Sequence, residues 1–111
     1  MIEKIILDYL TAELSVPVYM EVPEARPLSF VVIEKTGSHN NFHISTATIA
    51  TQSYAETMYK AASLNEAVKA AMSDIIELDS ICKCSLNSDY NYTEADAMQY
   101  RYQAVFDVTH Y

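Results

Sequence analysis

The apolar residues of this chain change period three times, and those changes restrict it to one order of elements. From Ile2 to Leu14 they recur every three or four positions. Ile2, Ile5, Ile6, Tyr9, Leu10 and Leu14 form one stripe, with Glu3, Lys4, Asp8 and Glu13 largely off it. The spacing predicts a helix that ends at Val16-Pro17, because proline disfavours helical geometry in the residue before it. A short extended "PVYMEV" and a stiff "PEARP" loop follow. "LSFVVIEKT" then has the β-branched and aromatic content of a strand. Its "FVVI" is apolar on both faces, which places it centrally in a sheet. Gly37, the only glycine, sits in the small polar run "TGSHNN", which reads as a turn. "FHISTATIATQSY" is the returning strand of that hairpin.

The helical period resumes from Glu56 to Leu78, where Ala61, Leu64, Val68, Ala71, Met72 and Ile75 share a face. Ser53-x-x-Glu56 has the spacing of a capping box and marks the expected start of this helix. "ICKCSLNSDYNY" and "AMQYRYQAVFDVTHY" read as a closing strand pair joined around "TEADA". The order is helix, strands, helix, strands. The expected fold is α+β, a mainly antiparallel sheet of about four to five strands packed against two helices. A chain of 111 residues is one compact domain, 1–111.

Five of the nine tyrosines lie between Tyr90 and Tyr111. With a period of two, Tyr100, Tyr102, Ala104, Phe106 and Val108 share one side of a strand. Gln99, Arg101, Gln103, Asp107 and Thr109 share the other, where Val105 is the apolar exception. That is the alternation of a strand with one buried face. Tyr90 and Tyr92 repeat the spacing on the partner strand, where cross-strand aromatic pairing is expected. Stacking on nucleic acid would need interleaved basic residues, and this run offers only Arg101.

Fifteen acidic against seven basic residues give a formal net charge of -8. The charge term that dominates binding to phosphate backbones is therefore missing, and sequence-specific nucleic-acid binding is not expected. No apolar run approaches the roughly 18 residues of a membrane span, so no membrane association is expected. "MIEKIILDYLTAEL" is too charged for a secretory signal, so a cytoplasmic location follows. Cys82 and Cys84, two apart, would share one strand face and read as small core residues. A lone C-x-C supplies too few ligands for a metal. His39, His43 and His110 show no paired-ligand spacing. No nucleophile elbow or phosphate-cradling glycine loop is present. Catalytic activity, a metal and a cofactor are accordingly not expected. The tyrosine-rich face leaves open a module binding a small ligand or a peptide.

Three stretches together resemble a known group. They are "VPVYMEVPEARPLSFVVIEKTGS", "TATIATQSYAETMYKAASLNEAVKAAM" and "CKCSLNSDYNYTEADAMQYRYQAVFDVTHY". In order and in total length they are similar to small structural proteins encoded in the tail-assembly region of long-tailed phages and prophages of Gram-positive bacteria. The resemblance implies a tail terminator: an α+β protein forming a hexameric ring on the end of the tail tube and meeting the head connector. Head–tail joining proteins of the same virion share this size and general fold. The implied partners are further copies of the chain, the tail-tube protein and head–tail connector proteins. The implied location is the virion tail, reached by assembly in the host cytoplasm. Rings use heterologous contacts, and hairpin tips are suited to making them. The candidate interface residues are His39, Asn40, Asn41, Phe42 and His43 on the first hairpin, and Tyr92, Thr93, Glu94 and Asp96 on the second.

Overall fold

The computed structural model describes residues 1–95 and 98–111. Helix α1, Ile2–Glu13, buries Ile2, Ile6, Tyr9 and Leu10 and ends where Leu14 turns extended. Strand β1 is only Val18–Tyr19; β2 runs Phe30–Asn41 and β3 Ile44–Ala55. Helix α2 is Met58–Ser73, followed by a 3-10 turn at Ile75–Glu77, then β4, Ile81–Asn91, and β5, Tyr100–His110. The five strands form one sheet in the order β1-β2-β3-β5-β4. Only β1 runs parallel to its neighbour; β2, β3, β5 and β4 are antiparallel. The α+β class and the helix-strands-helix-strands order are those expected from the sequence.

Both helices lie on one face of the sheet. Under them Ile6 and Leu10 of α1 and Val68 and Met72 of α2 pack with Val31, Ile33, Ile49, Ala104, Phe106 and Val108. Each large aliphatic side chain fully buried there is worth roughly 1.5–3 kcal/mol. Tyr9 ties the helices together, its hydroxyl donating to Ala71 O at 2.7 Å. The "FVVI" run is buried on both faces, as its composition requires. Val31 and Ile33 enter the helix-side core, while Phe30 and Val32 join Tyr54 in a second cluster packed by Tyr19. Tyr19 and Val32 are register partners on adjacent strands, so β1 adds to that second cluster.

Several local expectations are corrected. Gly37 does not turn the chain: it lies within β2, opposite Thr48, and has no positive φ. It follows a bulge between Lys35 and Gly37, a place where a strand tolerates glycine. Pairing continues through "SHNN" to Asn41↔Ile44, and the reversal falls on Phe42-His43. Helix α2 is capped by Thr57, whose hydroxyl accepts from Lys60 N at 3.1 Å, a contact worth about 1 kcal/mol. Ser53, expected in that role, is buried inside β3. The helix also stops at Ser73, and Ile75–Glu77 tighten into 3-10 geometry instead of completing it to Leu78.

Strand β4 carries two bulges, between Ile81 and Lys83 and between Leu86 and Ser88. A bulge inserts one residue and breaks the alternation of faces. Cys82 is therefore exposed and Cys84 half-buried, so the two do not form the expected pair of core thiols. The second bulge sets Tyr90 opposite Gln103 on the sheet face away from the helices. Its ring meets Tyr92 of the same chain segment edge-on at 5.7 Å, in place of a tyrosine across the ladder. On β5 the apolar side follows the expectation, with Ala104, Phe106 and Val108 buried, Tyr102 half-buried and Tyr100 at the rim, but the other side is not open: Gln103 is buried and Arg101, Val105, Asp107 and Thr109 are half-buried.

Candidate interaction surface

The β2–β3 hairpin ends in a short arm: β3 pairs with β5 as far as Ser45↔His110, so only residues 41–44 lie past the rest of the sheet. From Glu34 to Asn41 every residue of β2 is exposed, on both faces. Behind the arm, Lys35 Nζ lies 3.7 Å from Glu3 of α1 and Thr36 donates to Thr48 O. Its tip brings together the first candidate set, His39, Asn40, Asn41, Phe42 and His43. A shallow depression of ≈ 390 Å³ there is lined by His39, Asn41, Phe42, His43, Ile44 and Thr46. Phe42 is 98% exposed and Ile44 44%. The φ of Phe42 is 58°, the one positive value among non-glycine described residues. Positive φ at the first of two loop residues normally selects glycine, and a bulky residue there is a genuine outlier.

The second candidate set is at the other end of the molecule. β4 starts opposite His110 and ends opposite Tyr102, so its junction with β5 points away from the arm tip. Tyr92, Thr93 and Glu94 are tied down rather than projecting. Thr93 closes an Asx turn, its N–H and hydroxyl both donating to Asn91 Oδ1 at 3.1 and 2.7 Å. The Thr93 hydroxyl also accepts from Arg101 N at 2.9 Å. Asp96 lies outside the described residues.

Arg101 organises that end. Its Nε donates to Tyr92 O at 2.9 Å, Nη1 to the Tyr54 hydroxyl at 3.0 Å, and Nη2 to Glu94 at 3.2 Å. Its guanidinium carbon stands 4.4 Å from the Tyr92 ring centroid and 5.6 Å from that of Tyr54. Arg26 approaches the Tyr54 ring at 5.8 Å, so the chain's only two arginines share one tyrosine. Alongside, Gln52 donates to Gln103 at 2.9 Å, and Gln103 donates to the Tyr90 hydroxyl at 2.6 Å. Of the tyrosines singled out in the sequence, Tyr90 and Tyr92 are engaged in this cluster, whereas Tyr100 and Tyr111 are exposed. Arg26 and Tyr54 were not singled out, because the chain fold that unites residues 26, 54, 92 and 101 leaves no local spacing.

A third feature also escaped the sequence. Between α2 and β4 a groove of ≈ 190 Å³ is lined by Lys69, Ser73, Cys84, Leu86 and Phe106. The bulges of β4 turn Cys84 and Leu86 towards it. Lys69 is held at its rim by Glu66 at 3.0 Å and Asp89 at 3.2 Å, and the hydrogen bond to Glu66 is the main reason its pKa is raised. Burial pushes the Cys84 thiol up to about 11, with the Asp107 charge adding to the effect.

Against an ordinary thiol at 9.0, that shift leaves Cys84 with about a hundredfold less thiolate near neutral pH. Iodoacetamide at pH 8 should therefore modify Cys82 well before Cys84, as peptide mass mapping over time would report. The raised value also carries a sign for stability. The unfolded chain loses this proton first, so the Cys84 contribution is intact below pH 9.0 and is lost as the pH rises towards about 11. Equal labelling of both thiols would contradict the burial of Cys84.

Among the described residues, no group of three or more His, Cys, Asp or Glu side chains is placed to hold a metal ion. No helix is long and apolar enough to cross a membrane among those residues. No family model and no curated protein matches the chain.

Proposed function

We propose that this chain is a structural protein of phage tail assembly, a tail terminator that closes the tail tube as a ring, acts through subunit contacts and carries out no catalysis. The uncovered outer half of the hairpin is the observation that carries this reading. β2 is exposed at every residue from Glu34 to Asn41, while its partner β3 is held between β2 and β5 and buries Ala47. The tip presents Phe42 and Ile44 beyond the last pair of β3 with β5, Ser45↔His110. A strand left uncovered along this length and ending in two exposed apolar side chains is suited to being covered by a neighbour. Two open sheet margins add to this: among the described residues, β1 pairs with β2 only at Val31 and Val32, and β4 has a partner on one side alone. Edges of this kind pair readily with another chain.

A ring on the tube end also suits the acidity of the chain. Carboxylates facing a lumen would repel passing DNA instead of holding it. The test is electron microscopy of the protein mixed with its cognate tail tubes. The expected result is rings capping tube ends and tubes of uniform length. Uncapped tubes of unrestricted length would overturn the proposal, and protein found only at the head connector would make it a head–tail joining protein.

A further inference from the structure

We infer that β4 is a separately opening unit of the fold, and that the Asp89 carboxylate is the latch holding it to α2. The buried stripe of α2 consists of Ala61, Asn65, Val68 and Met72. Asn65 is the polar member of that stripe and is only 1% exposed. Its Nδ2 donates to Asp89 Oδ1 at 3.4 Å, while its Oδ1 has no partner among the described residues. One turn on, Lys69 Nζ donates to Asp89 Oδ2 at 3.2 Å. Positions i and i+4 lie on one side of a helix, so α2 aims two donors at a single carboxylate of β4. A buried amide with one end unmatched weakens a core. What the matched end of Asn65 gains is the contact with β4.

The rest of β4 is weakly held. Ile81 is its one buried residue; Cys84 and Ser88 are half-buried and the others are exposed. Two bulges interrupt its ladder to β5, and it lies at the margin of the sheet. Packing against α2 is incomplete, because the ≈ 190 Å³ groove separates Lys69 and Ser73 from Cys84 and Leu86. Tyr90 accepts from Gln103 at 2.6 Å and Asn87 donates to Asp107 at 3.1 Å, which ties β4 to β5 and not to the helix. By contrast β3 is paired on both sides and largely buried. Elements with little buried surface open at a fraction of the global unfolding free energy. β4 therefore parts from β5 and α2 while β2, β3 and β5 stay paired, and Asp89 sets how often. Each opening bares the outer edge of β5, an edge of the kind that accepts a further strand. The latch is a property of the single chain and does not depend on the tail role.

The test is residue-resolved amide hydrogen exchange by NMR on wild type, Asp89→Ala, Lys69→Met and a control, Ser85→Ala, altered at an exposed position of β4. In wild type, amides of β4 and the β5 amides facing it should be protected at least about tenfold less than those joining β5 to β3. Asp89→Ala should lower protection of the first group by about tenfold or more, the factor of one hydrogen bond to a charged group, and leave the second within about twofold. Lys69→Met should act in the same direction, and combined with Asp89→Ala should add less than about twofold. Ser85→Ala should change neither group. Equal protection of both groups in wild type overturns the inference, whether or not any variant folds. So does an Asp89→Ala chain in which β4 keeps its wild-type protection or β3 loses as much as β4. A Ser85→Ala chain that matches Asp89→Ala would remove the latch role as well.

Discussion

Replacing Phe30 by alanine is expected to lower stability by about 3–5 kcal/mol, a large part of the roughly 5–15 kcal/mol that holds a domain of this size folded. Phe30 is fully buried, yet it lies on the sheet face opposite the helices. Its ring stacks on Tyr54 with centroids 4.5 Å apart and 7° between planes, and Tyr19 meets it edge-on at 5.9 Å. Removing it opens a cavity and also releases Tyr54, the ring that both arginines approach. Urea unfolding of Phe30→Ala beside Leu28→Ala would check this, because Leu28 is 70% exposed and should cost little. A loss below about 1 kcal/mol would mean that this cluster is a surface ornament and that the helix-side core alone stabilises the sheet.

The second large effect belongs to Arg101. Arg101→Ala is expected to cost about 2–4 kcal/mol, because it leaves the Tyr92 carbonyl and the Tyr54 hydroxyl without their charged donor. The ion pair to Glu94 contributes little of this, since Glu94 is largely exposed and salt screens such pairs. Arg101→Lys should recover less than half of the loss. A lysine offers a point charge, whereas the guanidinium directs separate N–H groups at three acceptors and lies over two rings. A double-mutant cycle with Tyr54→Phe should show coupling of about 1 kcal/mol. If Arg101→Lys unfolds like wild type, the residue acts only through its charge and the fork geometry is incidental.

What could be seen in the sequence and what could not follow from the range of the interactions. The stripe of α1 and the alternation along β5 depend on residues a few positions apart, so spacing predicts both. The double-sided burial of Phe30, Val31, Val32 and Ile33 was visible because four apolar residues in a row suit few other environments. The displaced turn was not visible, since "TGSHNN" has turn composition and is held extended by its ladder to β3. Ser53 and Thr57 are both competent caps by composition, and only the end of β3 at Ala55 decides between them. The bulges of β4 leave no signature in "ICKCSLNSDYN", yet they set where Cys82, Leu86 and Tyr90 point. Of the candidate interface residues, the first five share one hairpin tip, as their order in the chain implies. The groove between α2 and β4 was missed because its walls are contributed by segments separated in the chain.

The order β3-β5-β4 has a consequence for how the polypeptide is made. β5 is the last of the five strands to be synthesised, and it lies between two strands already translated. Until Tyr100–His110 has cleared the ribosomal exit tunnel, β3 and β4 have no common neighbour, and each carries an unsatisfied edge. A nascent chain halted before Tyr100 therefore holds both helices and four strands without a closed sheet. Pulse proteolysis of chains stalled behind an appended unstructured linker should find protection appearing in one step, only once the linker is long enough to carry His110 out of the tunnel.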